Sequence, residues 1–211
     1  MREIVRGMFR PFPRACVGLA ALLLLAGCLP TSLNPLYTDK DIVFDPALVG
    51  TWAGENSPEE TWTFRADGEK KYKLVLKDEE GKSGEFEVHL LKLGGQQFLD
   101  LFPGETGFKD WNKMDTYKIH FIPAHSFLKV ERITPDLEVS QMDLEWLQKF
   151  LQKRPSAIKH EVLDGRIVFT APTRELQKFV VKHLKTAGAF GEVSKLRRKP
   201  ATESPAKPRT P

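Results

Sequence analysis

The sequence predicts a mainly β protein: an antiparallel barrel of about 8–10 strands with two α-helices near the C-terminus. Three observations predict it. Between Val49 and Thr170 apolar residues recur mostly with period two. Glycine-bearing turn signals separate the alternating runs. Two late segments switch to helical spacing.

The alternation runs element by element. Trp62 and Phe64 alternate with Thr61, Thr63 and Arg65; Tyr72, Leu74 and Leu76 alternate with Lys71, Lys73 and Lys77. Phe86, Val88 and Leu90 alternate with Glu85, Glu87 and His89, and Tyr117, Ile119 and Phe121 with Lys118 and His120. One apolar and one polar face is the pattern of an antiparallel sheet with one wet side. Turns are expected at Ala66-Asp67-Gly68, at 78–84, at Gly94-Gly95 and at Asp164-Gly165. Regular short strands favour a barrel or sandwich, because closure removes exposed edges.

The first helix is expected in "MDLEWLQKFLQKRP". Leu144, Trp146, Leu147, Phe150 and Leu151 share a face there, Asp143 is the N-cap and Pro155 follows the end. The second is expected in "PTRELQKFVVKHL", with Leu176, Phe179, Val180, His183 and Leu184 on one face. Thr173 is its N-cap, and Gly188 follows the last turn.

A chain of 211 residues, 41% hydrophobic, suffices for one domain with a real core. Its two cysteines, Cys16 and Cys28, both precede the expected barrel, so that region forms no internal disulfide or thiolate metal site. The formal net charge is +4, and Arg2, Arg6, Arg10 and Arg14 against Glu3 carry most of it. That distribution points to no nucleic-acid-binding face.

Those arginines precede an apolar run, Ala15 to Ala26, too short for the roughly 20 residues that span a bilayer. It fits the core of a secretory signal peptide, with the arginines as its charged start. The run ends at Leu25-Ala26-Gly27-Cys28, which resembles the lipobox of bacterial lipoprotein precursors. The resemblance implies cleavage between Gly27 and Cys28 and acylation of Cys28, which anchors the mature chain to a lipid bilayer without spanning it. Leu29, rather than an aspartate, follows the cysteine; under the enterobacterial sorting rule this favours the outer membrane.

The expected organisation is a signal peptide (1–27), a lipidated N-terminus and tether (28–45), a barrel domain (46–190) and a disordered basic tail (191–211). The tether holds Leu36, Tyr37, Ile42, Val43 and Phe44, so its second half is expected to dock on the domain. The tail is basic, proline-rich and nearly free of apolar residues. The segment "NPLYTDKDIVFDPALVGTW" resembles the opening of a family of uncharacterised bacterial lipoproteins, which implies no activity. Gly50-Thr51-Trp52 resembles the G-x-W at the start of the lipocalin barrel, where the Trp plugs the closed end. That resemblance implies a lipocalin-like fold and an Arg stacked on Trp52. Arg174, after the last expected strand, is the matching residue.

Signs of chemistry are sparse. His89, His120, His125, His160 and His183 show no zinc-ligand spacing, and no metal or other cofactor is expected. His120 and His125 flank Pro123 and could meet. His183 reads as a hydrogen-bonded core histidine and His160-Glu161 as a solvated strand face. Glu87 and His89 share a strand face with no nucleophile beside them, and hydrolase and nucleotide-binding motifs are missing. No catalytic residue is assigned, and a hydrolase is the weakest reading. The long connection 103–116 carries Phe108, Trp111 and Met114, which are candidates for a ligand or partner contact. Two functions follow. Interior aromatics, Trp62, Phe64, Tyr72, Phe86 and Phe121, suit a small apolar ligand or lipid. The same residues could fill the barrel solid, leaving an envelope scaffold or protein-interaction module.

Overall fold

The structure, a computed structural model, describes residues 29–104 and 120–200. It begins with two short strands, β1 (Thr31–Ser32) and β2 (Ile42–Val43), and a 3-10 turn, Pro46–Leu48. A meander of seven strands follows: β3 (Gly50–Gly54), β4 (Thr61–Ala66), β5 (Tyr72–Lys77), β6 (Ser83–Leu93), β7 (Gln96–Pro103), β8 (Ser126–Arg132) and β9 (Leu137–Gln141). Then come α1 (Leu144–Lys153), the hairpin β10 (His160–Leu163) and β11 (Arg166–Phe169), α2 (Thr173–His183) and finally β12 (Ser194–Arg198).

Seven meander strands and β12 make a closed antiparallel barrel of eight. Around the ring the order is β6, β5, β4, β3, β12, β9, β8, β7, and β7 pairs back onto β6. β6 is long enough to hold β5 along one stretch of its edge and β2 further along, Ile42 opposite Leu91. β2 therefore lies outside the ring. A second sheet, ordered β1-β11-β10, stands apart from it.

The period-two pattern sets the register. Trp62, Phe64, Tyr72, Leu74, Val88, Leu90, Leu99, Leu128, Val139 and Leu196 belong to one buried cluster inside the barrel. Trp52, Tyr72, Leu74, Val88, Leu90, Leu99, Leu137 and Val139 show no surface to a water-sized sphere. Since an enclosed void would also count as surface, these side chains fill the space between them. Gly94 and Gly95 form the two-residue turn between β6 and β7 with φ of +57° and +84°. Gly94 is doubly required, because a Cβ there would come within 3.0 Å of Val181 on α2.

A second core lies on the barrel's outer wall. Leu91, Phe98 and Phe127 point outward from β6, β7 and β8 and pack with Leu147, Phe169, Leu176 and Phe179. The two helices and the small sheet thus cover one side of the barrel. Asp143 caps α1 as expected, accepting from the Trp146 amide at 2.7 Å. At α2 the expectation is corrected. Pro172 holds the cap position and Thr173 is the first helical residue; the Pro172 carbonyl already accepts from Glu175 and Leu176.

The expected tail is also corrected, because its first part is a barrel strand. β12 bridges β9 and β3, with Leu196 buried inside. Its cations face carboxylates instead of solvent alone: Lys195 meets Asp136 at 3.2 Å and Glu55 at 3.6 Å, and Arg197 also pairs with Glu55. The expected strand through Tyr117 falls mainly on residues outside those described. At its end, Phe121 is 54% exposed and lies in no strand, so it is not an interior aromatic.

His183 is buried as expected, ringed by Trp146, Phe150 and Phe179 at centroid distances of 4.8–5.1 Å. Its Nδ1 lies 3.2 Å from the Thr186 hydroxyl, while Nε2 has no partner among the described residues. Burial first, and then Lys182 and Arg154, hold its pKa below the usual histidine value. The fold keeps the ring neutral where the unfolded chain takes up a proton. Stability is therefore full above about pH 6.5 and falls as the pH drops through that value. We expect His183→Phe to shrink the loss of urea midpoint between pH 7 and pH 5, without lowering stability at pH 7. An unchanged pH dependence would contradict this account.

Candidate functional site

The segment from Leu29 to Asp45 is fastened to the barrel along its whole length. Leu29 packs against the interior cluster. β1 pairs in parallel with β11, and Ser32 exchanges two backbone hydrogen bonds with His125, at 2.9 and 2.8 Å. The Asn34 side-chain amide donates to the Ala171 carbonyl at 3.0 Å. Leu36 is fully buried in the second core. Its N–H donates to Asp100 Oδ2 at 2.7 Å, and its carbonyl accepts from Gln177 at 2.9 Å. Gln177 also donates to Asp41, which accepts from the Thr38 amide and hydroxyl. Burial pushes the Asp41 carboxyl up, but the Thr38 and Gln177 hydrogen bonds outweigh it and leave its pKa lowered. Further on, Phe44 stacks on Tyr72 at 4.8 Å, and the Tyr72 hydroxyl bonds the Asp45 backbone.

Asp100 is the centre of this lock. It points outward from β7, opposite His89 on β6 and Phe127 on β8, and is 1% exposed. Its second oxygen faces His125 Nδ1 at 2.7 Å. Phe102 packs on the His125 ring at 4.5 Å, and Tyr37 lies over His89 at 4.3 Å. Burial, then the charges of Asp100 and Glu87, pushes the Tyr37 hydroxyl up to about 12. Burial holds His89 below its usual value, outweighing Glu87 and Asp100. An Asp–His pair can orient an imidazole as a general base. Here, however, each Asp100 oxygen is engaged by the chain's own groups, and among the described residues no group of three metal-ligating side chains converges. Glu87, expected to pair with His89, lies 3.9 Å from it and bonds Lys71 at 3.0 Å.

The barrel's floor is built at the opposite end. Trp52 is fully buried, and its indole N–H donates to the Leu48 carbonyl at 2.9 Å, tying the 3-10 turn to β3. The cation over the Trp52 ring is Arg198 of β12, 4.2 Å from its centroid. This corrects the expected partner: Arg174 is exposed on the first turn of α2. Arg198 also donates to the carbonyls of Val49, at 2.9 Å, and Ala47. It crosses Gly50 so closely that a Cβ there would stand 2.5 Å from its Nη1, and Gly50 has φ +139°. The glycine of the G-x-W motif is thus required by the arginine and by its own backbone.

Gly27, Cys28, Phe108, Trp111 and Met114 lie outside the described residues. His120 is exposed, and the group that meets His125 Nδ1 is Asp100. Two surface pockets lined by described residues sit outside the barrel. One of about 180 Å³ is lined by Lys71, Lys73, Glu85 and Glu87, and one of about 540 Å³ by Trp146 and Phe190. Among the described residues, no helix is long and apolar enough to cross a membrane. No protein-family model, curated protein or solved structure matches the chain.

Two outcomes are expected. Asp100→Ala leaves the Leu36 amide and the His125 ring without their acceptor. It should cost about 2–3 kcal/mol in urea unfolding and speed exchange of the Leu36 amide. Wild-type exchange at Leu36 would refute the lock. At the floor, Arg198→Lys loses the planar fork and its stacking, a cost of about 1 kcal/mol. Arg174→Ala should stay within about 0.5 kcal/mol of wild type, and a reversed ranking would refute the assignment.

Proposed function

We propose that this chain is a bacterial lipoprotein, cleaved between Gly27 and Cys28 and acylated at Cys28. Its barrel is a rigid, non-catalytic scaffold or protein-interaction module of the cell envelope. The observation that carries the second part is the closely packed interior: Trp52, Tyr72, Leu74, Leu90, Leu99 and Leu137 show no surface to a water-sized sphere, and the other buried members of that cluster show at most 7%. A carrier of a small apolar ligand, the other reading that the sequence raises, needs a cavity of roughly 300 Å³ or more. The described interior supports the packed module over the carrier. The polar cluster supports a non-catalytic role, since Asp100 spends both oxygens on Leu36 and His125. Leu29 after Cys28 supports residence in the outer membrane.

The fastened N-terminal segment suits this role. A domain held by a lipid transmits load through whatever joins the two, and here the junction is β1, Asp100, Gln177 and β2 rather than a loose linker.

Two measurements test the proposal. Cys28→Ser should abolish incorporation of labelled fatty acid and leave an uncleaved precursor; a processed, membrane-bound variant would refute the anchor. Native mass spectrometry of an unacylated form starting at Leu29 should show bare protein mass after exposure to phospholipid. A stoichiometric bound lipid would restore the carrier reading.

A further inference from the structure

We propose that the groove lined by Trp146 and Phe190 is the docking site for the proline-spaced end of this same chain, Pro205–Pro211. The inference does not depend on acylation at Cys28.

The groove is preformed. Trp146, on the first turn of α1, and Phe190, ahead of β12, line the surface pocket of about 540 Å³, and Gly188 and Gly191 share the lining. Both rings are held from behind. Trp146 stacks on Phe150 at 5.1 Å, and Phe190 packs near Phe98 at 6.4 Å. The backbone is fastened too: Phe190 bridges to Met142, and the Gly191 N–H donates to the Gln141 carbonyl at 2.9 Å. Glycine presents bare backbone, so a ligand can lie close to the chain there.

The groove is also negative. Asp143, Glu145 and Glu192 line it against one cation, Lys149. Lys149 is spent on Glu145. Among the described residues no cation forms an ion pair with Asp143 or Glu192. An aromatic groove with unneutralised carboxylates calls for an extended, apolar and cationic ligand.

The sequence supplies one. The stretch "SPAKPRTP", 204–211, has proline at 205, 208 and 211. Polyproline II has three residues per turn, so those three rings fall along one edge. Such edges dock in aromatic-lined grooves, and restricted proline backbones lose little entropy on doing so. Lys207 and Arg209 fall on the other two edges, and the stretch holds no acid.

The reach suffices. β12 starts beside the groove and ends at the floor, where the Lys199 N–H bonds the Thr51 carbonyl. From Glu192 to Pro200 the chain advances at most about 26 Å at the rise of a strand. A reversal at Ala201-Thr202 leaves residues 203–211, about 25 Å as polyproline II. That length returns along the outside of β12 and brings Pro208, Arg209 and Pro211 to the groove. The docked segment then clasps the strand that closes the ring.

The unacylated form starting at Leu29 holds no cysteine, so Thr210→Cys supplies a single site for a nitroxide. The amides of Gly188, Gly191 and Glu192 should then lose most of their NMR signal intensity. Two further changes in the labelled chain should restore it: Glu192→Lys, at an exposed position, and Pro208→Ala, which leaves every described residue as it is. Full intensity at the three amides of the labelled chain overturns the docking. So does a loss that survives both changes, since it reports nearness without recognition. Isotope-labelled protein without the nitroxide, mixed with nitroxide-bearing protein without the isotope, should keep full intensity. A loss in that mixture assigns the groove to the tail of a second copy and overturns the intramolecular site.

Discussion

The carboxylate of Asp100 sits on the outer wall of the barrel, almost wholly removed from water. A charge in that position is tolerated only when hydrogen bonds replace its hydration. The replacements are the Leu36 amide and the His125 ring, and much else follows from where they must stand. Fixing Leu36 leads the N-terminal segment across β7 and drops Leu36 into the second core. Fixing His125 sets the start of β8, and His125 in turn holds β1 through its backbone. β1 then carries β11 and the small sheet. A single outward carboxylate thereby registers the N-terminal segment, the barrel and the covering layer against one another.

β6, β7 and β8 serve two cores at once. On β6 and β7 both faces are apolar near the floor: Leu90 and Leu99 point inward, Leu91 and Phe98 outward, whereas β8 puts Phe127 outward opposite Asp100 and Lys129 outward opposite Phe98. Toward the other end the outward face turns polar, through His89 and Asp100 to Glu87. β4 and β5, with no layer over them, keep polar outer faces: Thr61, Thr63 and Arg65 on β4, Lys73 and Lys77 on β5, where Lys73 meets Glu85 at 3.2 Å. Whether a strand reads as alternating or continuous thus reports which part of the wall is covered.

Strand alternation and helix capping made the barrel and α1 legible in sequence, because both depend on neighbours within a few residues. Trp52 was legible through its motif for the same reason. Arg198 was not. Its role depends on Trp52 and on the Val49 and Ala47 carbonyls, about 150 positions earlier, and its local setting is a basic run before a proline-rich end. The carboxylates that face the cations of β12, Glu55 and Asp136, are also far from it in sequence. Asp100 left one trace, a lone acid inside the apolar run "FLDLF". An acid at that place is costly unless partnered, but nothing local names Leu36 or His125 as the partners.

The ring closes through its last strand. β12 fills the gap between β9 and β3, and the Lys199 amide finally bonds the Thr51 carbonyl. A chain that emerges amino end first presents β3 and β9 as two open edges until residues 194–198 arrive, with the floor still lacking its arginine. Open edges recruit other strands. Loss of the residues from Ser194 onward would therefore leave an aggregation-prone half-product rather than a trimmed domain. A short basic terminus, unremarkable in composition, decides whether the remainder becomes a barrel at all.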